Sequence, residues 1–381
     1  MNNIVFVIPT LSPGGAEHQV CNQVNYLYKN NYPVKLIVLS DKIDIINLIN
    51  LPEENILILG LKHLRKISKL SFLQINTAIK EINNVCNVNT VLISVLPTSH
   101  FISRLSKLWF ISKFRLVCYH RSIQYENSPN NTLFKLLFYK VNRSLSKRYD
   151  DEHLFISDAV GKHISKYLEV KNGHVIFNAL PQKNVDKDLS YIDIKNYFES
   201  KPKYLVVIPG RLHHTKGHVF FIESLYDYIR THKLENLGVM FLGGGPLKNE
   251  IEEKLLQYDI KKNIKITGII KNELLLSYLA LSDLVVIPSI SEGFGNVAIE
   301  ALRQGSTILS SNAGGLPEII NDKKNGFLFK SLNNNDLQQK FTNLHQDKIN
   351  LNSADLKSDF LNRFTLESQM EKLIGVLRII K

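Results

Sequence analysis

The feature that most limits what this chain can become is a series of short apolar runs separated by longer, helix-forming stretches. Residues 4–8, 34–39, 55–59, 90–95 and 114–119 form a first set, and residues 204–208, 238–242, 263–267, 284–287 and 306–310 form a second. Runs this short, rich in Val, Ile and Leu, read as buried strands rather than helices. Strands that alternate with helices make a parallel sheet covered on both faces. Right-handed crossovers then bring the carboxyl end of every strand to one edge, where ligands bind. At 381 residues the chain is too long for one ordinary core. The expected fold class is therefore α/β, with two Rossmann-like domains facing each other across a cleft. Residues 1–180 make the first domain and residues 181–362 the second, joined by a polar connector over 183–200. Residues 363–381 contain a last amphipathic helix, read over 366–380.

Composition narrows the function classes. An apolar content of 44% with mixed charge describes a folded, soluble chain. No run is long enough to span a bilayer, and no signal peptide is visible at Met1, so a cytoplasmic protein is expected. Cys21, Cys86 and Cys118 lack zinc or CxxC spacing and read as reduced thiols. The net charge of +12 is unevenly placed: between Lys62 and Arg148 the only acids are Glu81 and Glu126. No aromatic-basic RNA motif accompanies the charge, so no nucleic-acid partner is expected.

The chemistry-bearing motifs follow the apolar runs. SEGFGNVAIE, residues 291–300, comes after the run ending at Pro288 and leads into a helix-forming stretch. A turn that opens a helix offers backbone N–H groups and the positive end of the helix dipole to an anion. Glu292 and Glu300 frame it. Their spacing is close to one helix face, and carboxylates accept hydrogen bonds from sugar hydroxyls. A phosphate-seeking turn beside hydroxyl-seeking acids suggests a nucleotide sugar. Arg211 and Lys216, in the loop after residues 204–208, are two cations able to grip a diphosphate; a solvated basic turn has the same pattern. Gly14 and Gly15 follow the first strand, where a backbone can approach a ligand closely or simply start a helix.

Other features carry two readings each. His213, His214 and His218 have no Cys or acid to complete a metal set, and Asp186-Lys187-Asp188 falls in the connector, so no metal is expected. Gly243, Gly244 and Gly245 line a nucleotide or merely turn the chain. Residues 312–318 are a strand-to-helix turn on the same edge. His120 ends a strand of the first half and would point into the cleft; His100 is a weaker candidate of that kind. Lys62, Arg65, Lys66 and Lys69 lie in an amphipathic stretch, as do Arg104, Lys107, Lys113 and Arg115 beside Phe101 and Trp109. These are either helices packed on the sheet or contacts to an anionic membrane or a lipid-linked phosphate.

Together, Glu292-x7-Glu300, Arg211, Lys216 and the Gly14-Gly15 loop resemble the GT-B glycosyltransferases, specifically glycosyltransferase family 4. The resemblance implies a retaining, metal-independent hexosyltransferase with no cofactor beyond its donor substrate. The donor implied is a UDP-sugar carrying a hexose or N-acetylhexosamine. The acceptor implied is a lipid-linked saccharide or surface polysaccharide at the inner face of the cytoplasmic membrane. Arg211 and Lys216 would bind the donor diphosphate, Glu300 the ribose and Glu292 the sugar hydroxyls. Backbone amides near Phe294, Gly295 and Asn296 would meet phosphate or sugar. Gly15 would approach the diphosphate from the other domain, and His120 would contact the donor sugar. The leaving phosphate would help deprotonate the acceptor on the front face. The last helix would cross back to the first domain. Gly244 stands where many relatives carry an acid, and Asn178-Ala179-Leu180 replaces their Asn-Gly turn. A soluble synthase acting on a small phosphorylated acceptor and a non-catalytic nucleotide-sugar binder are the alternatives.

Overall fold

In a computed structural model the chain is described at residues 3–62, 71–110, 113–123, 133–181, 194, 197–198, 202–231 and 237–379. It divides into two units. Residues 1–179 with 366–381 form one, and residues 180–365 form the other.

The first unit holds seven parallel strands: β1 (Asn3–Ile8), β2 (Val34–Ser40), β3 (Ile56–Leu61), β4 (Thr90–Val95), β5 (Arg115–His120), β6 (Glu152–Phe155) and β7 (Gly173–Val175). Their order is β3-β2-β1-β4-β5-β6-β7. The helices are α1 (Gly15–Lys29), α2 (Phe72–Val85), α3 (Pro97–Phe110), α4 (Leu133–Tyr149) and α5 (Asp158–Ser165). β4 is buried along its whole length, as its apolar run demands. The apolar stripes of α2 and α3 close one face: Ala78, Ile79, Ile82 and Ile102 pack on Val5, Ile37, Leu92 and Leu116.

The second unit holds six parallel strands: β8 (Tyr204–Pro209), β9 (Leu237–Leu242), β10 (Ile264–Ile266), β11 (Leu284–Ile287), β12 (Ile308–Ser311) and β13 (Phe327–Phe329). Their order is β10-β9-β8-β11-β12-β13. α6 (His218–Thr231), α7 (Lys248–Gln257), α8 (Asn272–Leu281), α9 (Asn296–Gln304), α10 (Leu316–Ile319), α11 (Asn334–Gln346) and α12 (Ser353–Arg363) connect or follow them. Phe221, Phe241 and Phe341 are edge-to-face in its core, a favoured aromatic geometry. The final helix, α13 (Leu366–Leu377), belongs to the first unit and packs on α1. Arg363, Phe364 and Thr365, read from sequence as the start of that last segment, and Leu180, read as the end of the first domain, belong to the second unit.

In both sheets the order reverses beside the first strand, at β1/β4 and at β8/β11. That is the position where connections leave on opposite faces and a crevice opens at the carboxyl ends. Among the described residues no helix is long and apolar enough to cross a membrane. The connector over 183–200, including Asp186 and Asp188, lies almost entirely outside the described residues.

The first unit also buries charge. Arg104 on α3 meets Asp150 through Nε–Oδ1 at 2.8 Å and through a second nitrogen–oxygen pair at 2.5 Å, while Asn142 accepts from the same guanidinium. Burial alone would raise the Asp150 carboxyl, but Arg104 outweighs it and the net shift is downward. Removing one partner strands the other in a medium that cannot solvate it. Arg104→Met is therefore expected to lower unfolding stability by about 3–5 kcal/mol in urea titration. The pair's contribution is intact above the ordinary carboxylate range, about pH 4, and is lost as pH falls through the depressed folded value.

Candidate active site

The second unit assembles its site from three loops at the carboxyl edge of one sheet. The loop after β8 begins with Gly210 and is sewn to the loop after β9, because Leu212 donates to the Gly244 carbonyl and Leu247 donates to that of Leu212. Added side chains at Gly243 and Gly245 would strike the carbonyl oxygens of Gly210 and Leu212. The glycine run thus has a packing reason for being there.

Past Arg211 the chain makes a 3₁₀ turn over His214–Lys216, and His213 Nδ1 lies 3.4 Å from the Thr215 amide at its start. Gly217 ends the turn with φ of 71°, and a Cβ there would lie 1.8 Å from the Pro288 carbonyl oxygen. Only glycine tolerates both the conformation and the contact. This close approach docks the β8 loop on the β11 loop. The Thr215 carbonyl completes the seam by accepting from the Ile290 and Ser291 amides.

The seam places Lys216 Nζ 2.5 Å from Glu292 Oε2. The Lys216 side chain is 29% exposed and that of Glu292 15%, so the pair is partly shielded yet reachable. Ser289 Oγ donates to the same carboxylate oxygen at 3.2 Å. Ser311 at the end of β12 donates to the Ser289 carbonyl, and the Gly315 amide donates to the Glu292 carbonyl. Gly314 lies against that carbonyl so closely that a Cβ would sit 1.7 Å away. Arg211 is exposed and makes no ion pair or hydrogen bond among the described residues.

Spacing suggested that Glu292 and Glu300 share a helix face. The structure corrects this: α9 begins at Asn296, so Glu292 stands in the preceding loop and only Glu300 is helical. Gly295 precedes α9 with φ of 112°, and no side chain caps the first turn. Phe294 is buried edge-on against Phe364, which anchors the turn. Glu300 is half-buried and accepts no hydrogen bond among the described residues. Burial pushes its carboxyl up to about 7, and Arg303 pulls in the opposite direction. Within this unit, therefore, Lys216 and Glu292 are in direct contact, while Arg211, Phe294, Gly295, Asn296 and Glu300 occupy the loops and helix that bracket them.

Sequence reasoning missed Ser289, Thr215 and Ser311, which hold Glu292 and its loop. Short polar residues at strand ends gave no distinguishing signal. Among the described residues no three His, Cys, Asp or Glu side chains gather in a metal-binding cluster. His214 is exposed, whereas His218 is buried with its ring edge-on to Phe241.

In the first unit, Gly14 precedes α1 and Gly15 opens it. The Glu17 carboxylate lies over Gly14, where it meets the helix N-terminus; a Cβ on Gly14 would be 2.4 Å from its Oε2. His120 ends β5 and is fully buried between the rings of His100 and His153, with Phe155 stacked on it. Lys62 is exposed just past β3, while Arg65, Lys66 and Lys69 lie outside the described residues. The start of α2 and the end of α3 carry exposed Phe72, Leu73, Leu108, Trp109 and Phe110, with the Phe72 and Trp109 rings 6.1 Å apart. Burial pushes the Cys21 thiol up to about 11 and that of Cys86 up to about 12.

The chain is similar in sequence and fold to known proteins. Residues 191–358 match the family described as Glycosyl transferases group 1. An uncharacterized glycosyltransferase of Methanocaldococcus jannaschii is 29% identical over 40% of this chain, a match spanning 39% of that relative's length. An N-acetylgalactosamine-N,N'-diacetylbacillosaminyl-diphospho-undecaprenol 4-alpha-N-acetylgalactosaminyltransferase of Campylobacter jejuni is 25% identical over 92% of each chain. The structure of Anabaena Alr3699/HepE in complex with UDP superposes with a TM-score of 0.78 at 17% identity, covering 99% of both chains. The fold is that of the GT-B glycosyltransferases, and the matching domain and relatives support a glycosyltransferase of that architecture.

Proposed function

We propose that this chain is a retaining glycosyltransferase that moves a hexose or N-acetylhexosamine from a UDP-sugar to a lipid-linked saccharide or surface polysaccharide. The observation that carries the reading is the Lys216–Glu292 pair in the crevice beside β8 and β11, with Arg211, which has no partner among the described residues, in the same loop as Lys216 and with no side-chain cap on α9. The donor class draws support from the UDP in the Anabaena neighbour, and the acceptor class from the Campylobacter relative's name.

Without donor, the Lys216 ammonium and the Glu292 carboxylate neutralise each other. A diphosphate brings two negative groups that compete for Lys216 and recruit Arg211. Glu292, released from that contact and still held by Ser289, then accepts hydrogen bonds from sugar hydroxyls. As the glycosidic bond breaks, charge builds on the departing nucleoside diphosphate. Arg211, Lys216 and the α9 dipole face that charge and stabilise the transition state more than the ground state. These two cations supply the positive charge, so the reading invokes no metal. A leaving-phosphate oxygen takes the acceptor proton on the same face from which the phosphate departs. Glu300 receives the ribose hydroxyls, Gly14 and Gly15 approach the diphosphate, and His120 contacts the donor sugar.

Removing one group that faces developing charge typically costs 10²–10³ in kcat. Lys216→Ala is expected to lose about that factor in UDP-sugar turnover, and Glu292→Ala to lose turnover comparably, each with an unchanged far-ultraviolet circular dichroism spectrum. A folded variant that keeps full turnover would reject the assignment, and folded variants that both transfer normally would reject the site.

Glu300 yields a pH signature. Its folded carboxyl titrates at about 7, and ribose hydroxyls favour its ionised form. UDP affinity should therefore fall as pH drops below about 7, by on the order of tenfold between pH 8 and pH 6. Calorimetry should show that step shrinking in Glu300→Gln, where only the titration of the diphosphate itself remains.

The exposed Phe72, Leu73, Trp109 and Phe110 fit the interface of an anionic bilayer, and Phe72 and Leu73 follow in sequence the basic stretch with Lys62, Arg65, Lys66 and Lys69. Each buried aromatic contributes about 1.5–3 kcal/mol and each cation near the surface about 1 kcal/mol. Phe72→Ser with Trp109→Ser should weaken sedimentation with phosphatidylglycerol vesicles more than tenfold, leaving UDP binding unaltered. Equal losses in both would count against a membrane role for this face.

A further inference from the structure

We propose that Asp150 and His153 are positioning residues that hold His120 in a single tautomer, leaving His120 Nδ1 as a buried acceptor for one hydroxyl of the donor sugar. The proposal rests on the reading of His120 as a donor contact and names how it makes that contact.

Strand pairing creates the arrangement. β5 and β6 are in parallel register with Cys118 opposite His153 and His120 opposite Phe155. His153 Nδ1 thereby lies 3.2 Å from His120 Nε2, and the two rings stack at 5.5 Å with 17° between their planes. The other nitrogen of His153 lies 3.7 Å from Asp150 Oδ2. That is longer than a hydrogen bond, yet close enough for the carboxylate to decide which nitrogen carries hydrogen.

Asp150 is held ionised by Arg104 and accepts a further hydrogen bond from Ser146 Oγ. An ionised carboxylate only accepts. A lone pair on His153 Nε2 would face its negative charge, whereas an N–H there is attracted to it. With the N–H on Nε2, neutral His153 has a lone pair on Nδ1, and His120 Nε2 must donate to it. Neutral His120 has no second hydrogen, so its Nδ1 is bare. Burial, with His100, His153 and Arg104 nearby, holds His120 in the neutral form this chain of bonds requires.

His120 Nδ1 is buried and has no hydrogen-bond partner among the described residues. A buried acceptor without a donor is unfavourable, so a ligand hydroxyl that reaches it is favoured and a ligand lacking that hydroxyl is rejected. Phosphate oxygens, being acceptors, gain nothing there. The arrangement therefore reads the sugar, not the diphosphate.

Long-range proton–nitrogen spectra of the full chain labelled with ¹⁵N-histidine test the tautomer directly, with His120 assigned by its loss in His120→Gln. Ligand-free wild type should show hydrogen on Nε2 and none on Nδ1. His153→Phe should give a mixture, and His153→Asn, whose amide oxygen can accept from His120, should restore the single tautomer. Hydrogen on Nδ1 in wild type, or an unchanged tautomer in His153→Phe, overturns the proposal. In turnover, His153→Phe should cost about tenfold in kcat/KM with the parent UDP-sugar and nothing with the one monodeoxy analogue that lacks the hydroxyl His120 meets. An equal loss across every analogue would mark His153 as merely structural and overturn it as well. The spectra need no substrate, so a wild type that transfers no sugar defeats the transfer reading while the tautomer stands or falls on the spectra.

Discussion

A parallel sheet whose order reverses beside its first strand cannot close its own carboxyl edge. In the second unit the helix after β8 packs with α7 and α11, whereas the helix after β11 packs with α8 and α12. The two connections therefore leave on opposite faces, and the gap at their origin is bridged only by loops. Everything placed in that gap depends on how closely those loops approach. Gly217 against Pro288 and the Thr215 carbonyl with the Ile290 and Ser291 amides hold the β8 loop to the β11 loop, and Gly314 against Glu292 holds the β12 loop there. A side chain at Gly217 would force the β8 and β11 loops apart and separate Lys216 from Glu292.

The two acids of this site are treated differently by their surroundings. Glu292 has a cation and a hydroxyl as partners, so its charge is balanced. Glu300 sits in a helix with no hydrogen-bond partner among the described residues, and burial leaves it near the middle of the physiological range. A balanced carboxylate exchanges one partner for another at little cost. An unbalanced one is stabilised when hydroxyls arrive.

Much of the fold was legible because burial on both faces leaves little freedom. β4 and β11 coincide with their apolar runs, and the other foreseen strands differ by one or two residues at their ends. The sequence reading passed over β6, β7 and β13. Each has only three or four residues, β6 opens with Glu152 and His153, and β7 and β13 are edge strands. Short strands at an edge carry too few apolar residues to stand out from loops. The site was legible as residue types at strand ends, but the helix-face argument for Glu292 failed because Gly295 starts the helix later than composition implied.

By itself the sequence determined the α/β class, the two series of strands and the edge on which Arg211, Lys216 and Glu292 fall, since these follow from apolar periodicity and crossover handedness. Only the tertiary structure decided that Lys216 pairs with Glu292 and that Ser289 supports it. It also decided that His153 and Asp150 stand behind His120. Those contacts join residues 76 and 33 positions apart in Lys216–Glu292 and His120–His153. Local propensity acts over a few residues, whereas these pairings are set by strand register and by loops meeting where glycine lets two backbones touch.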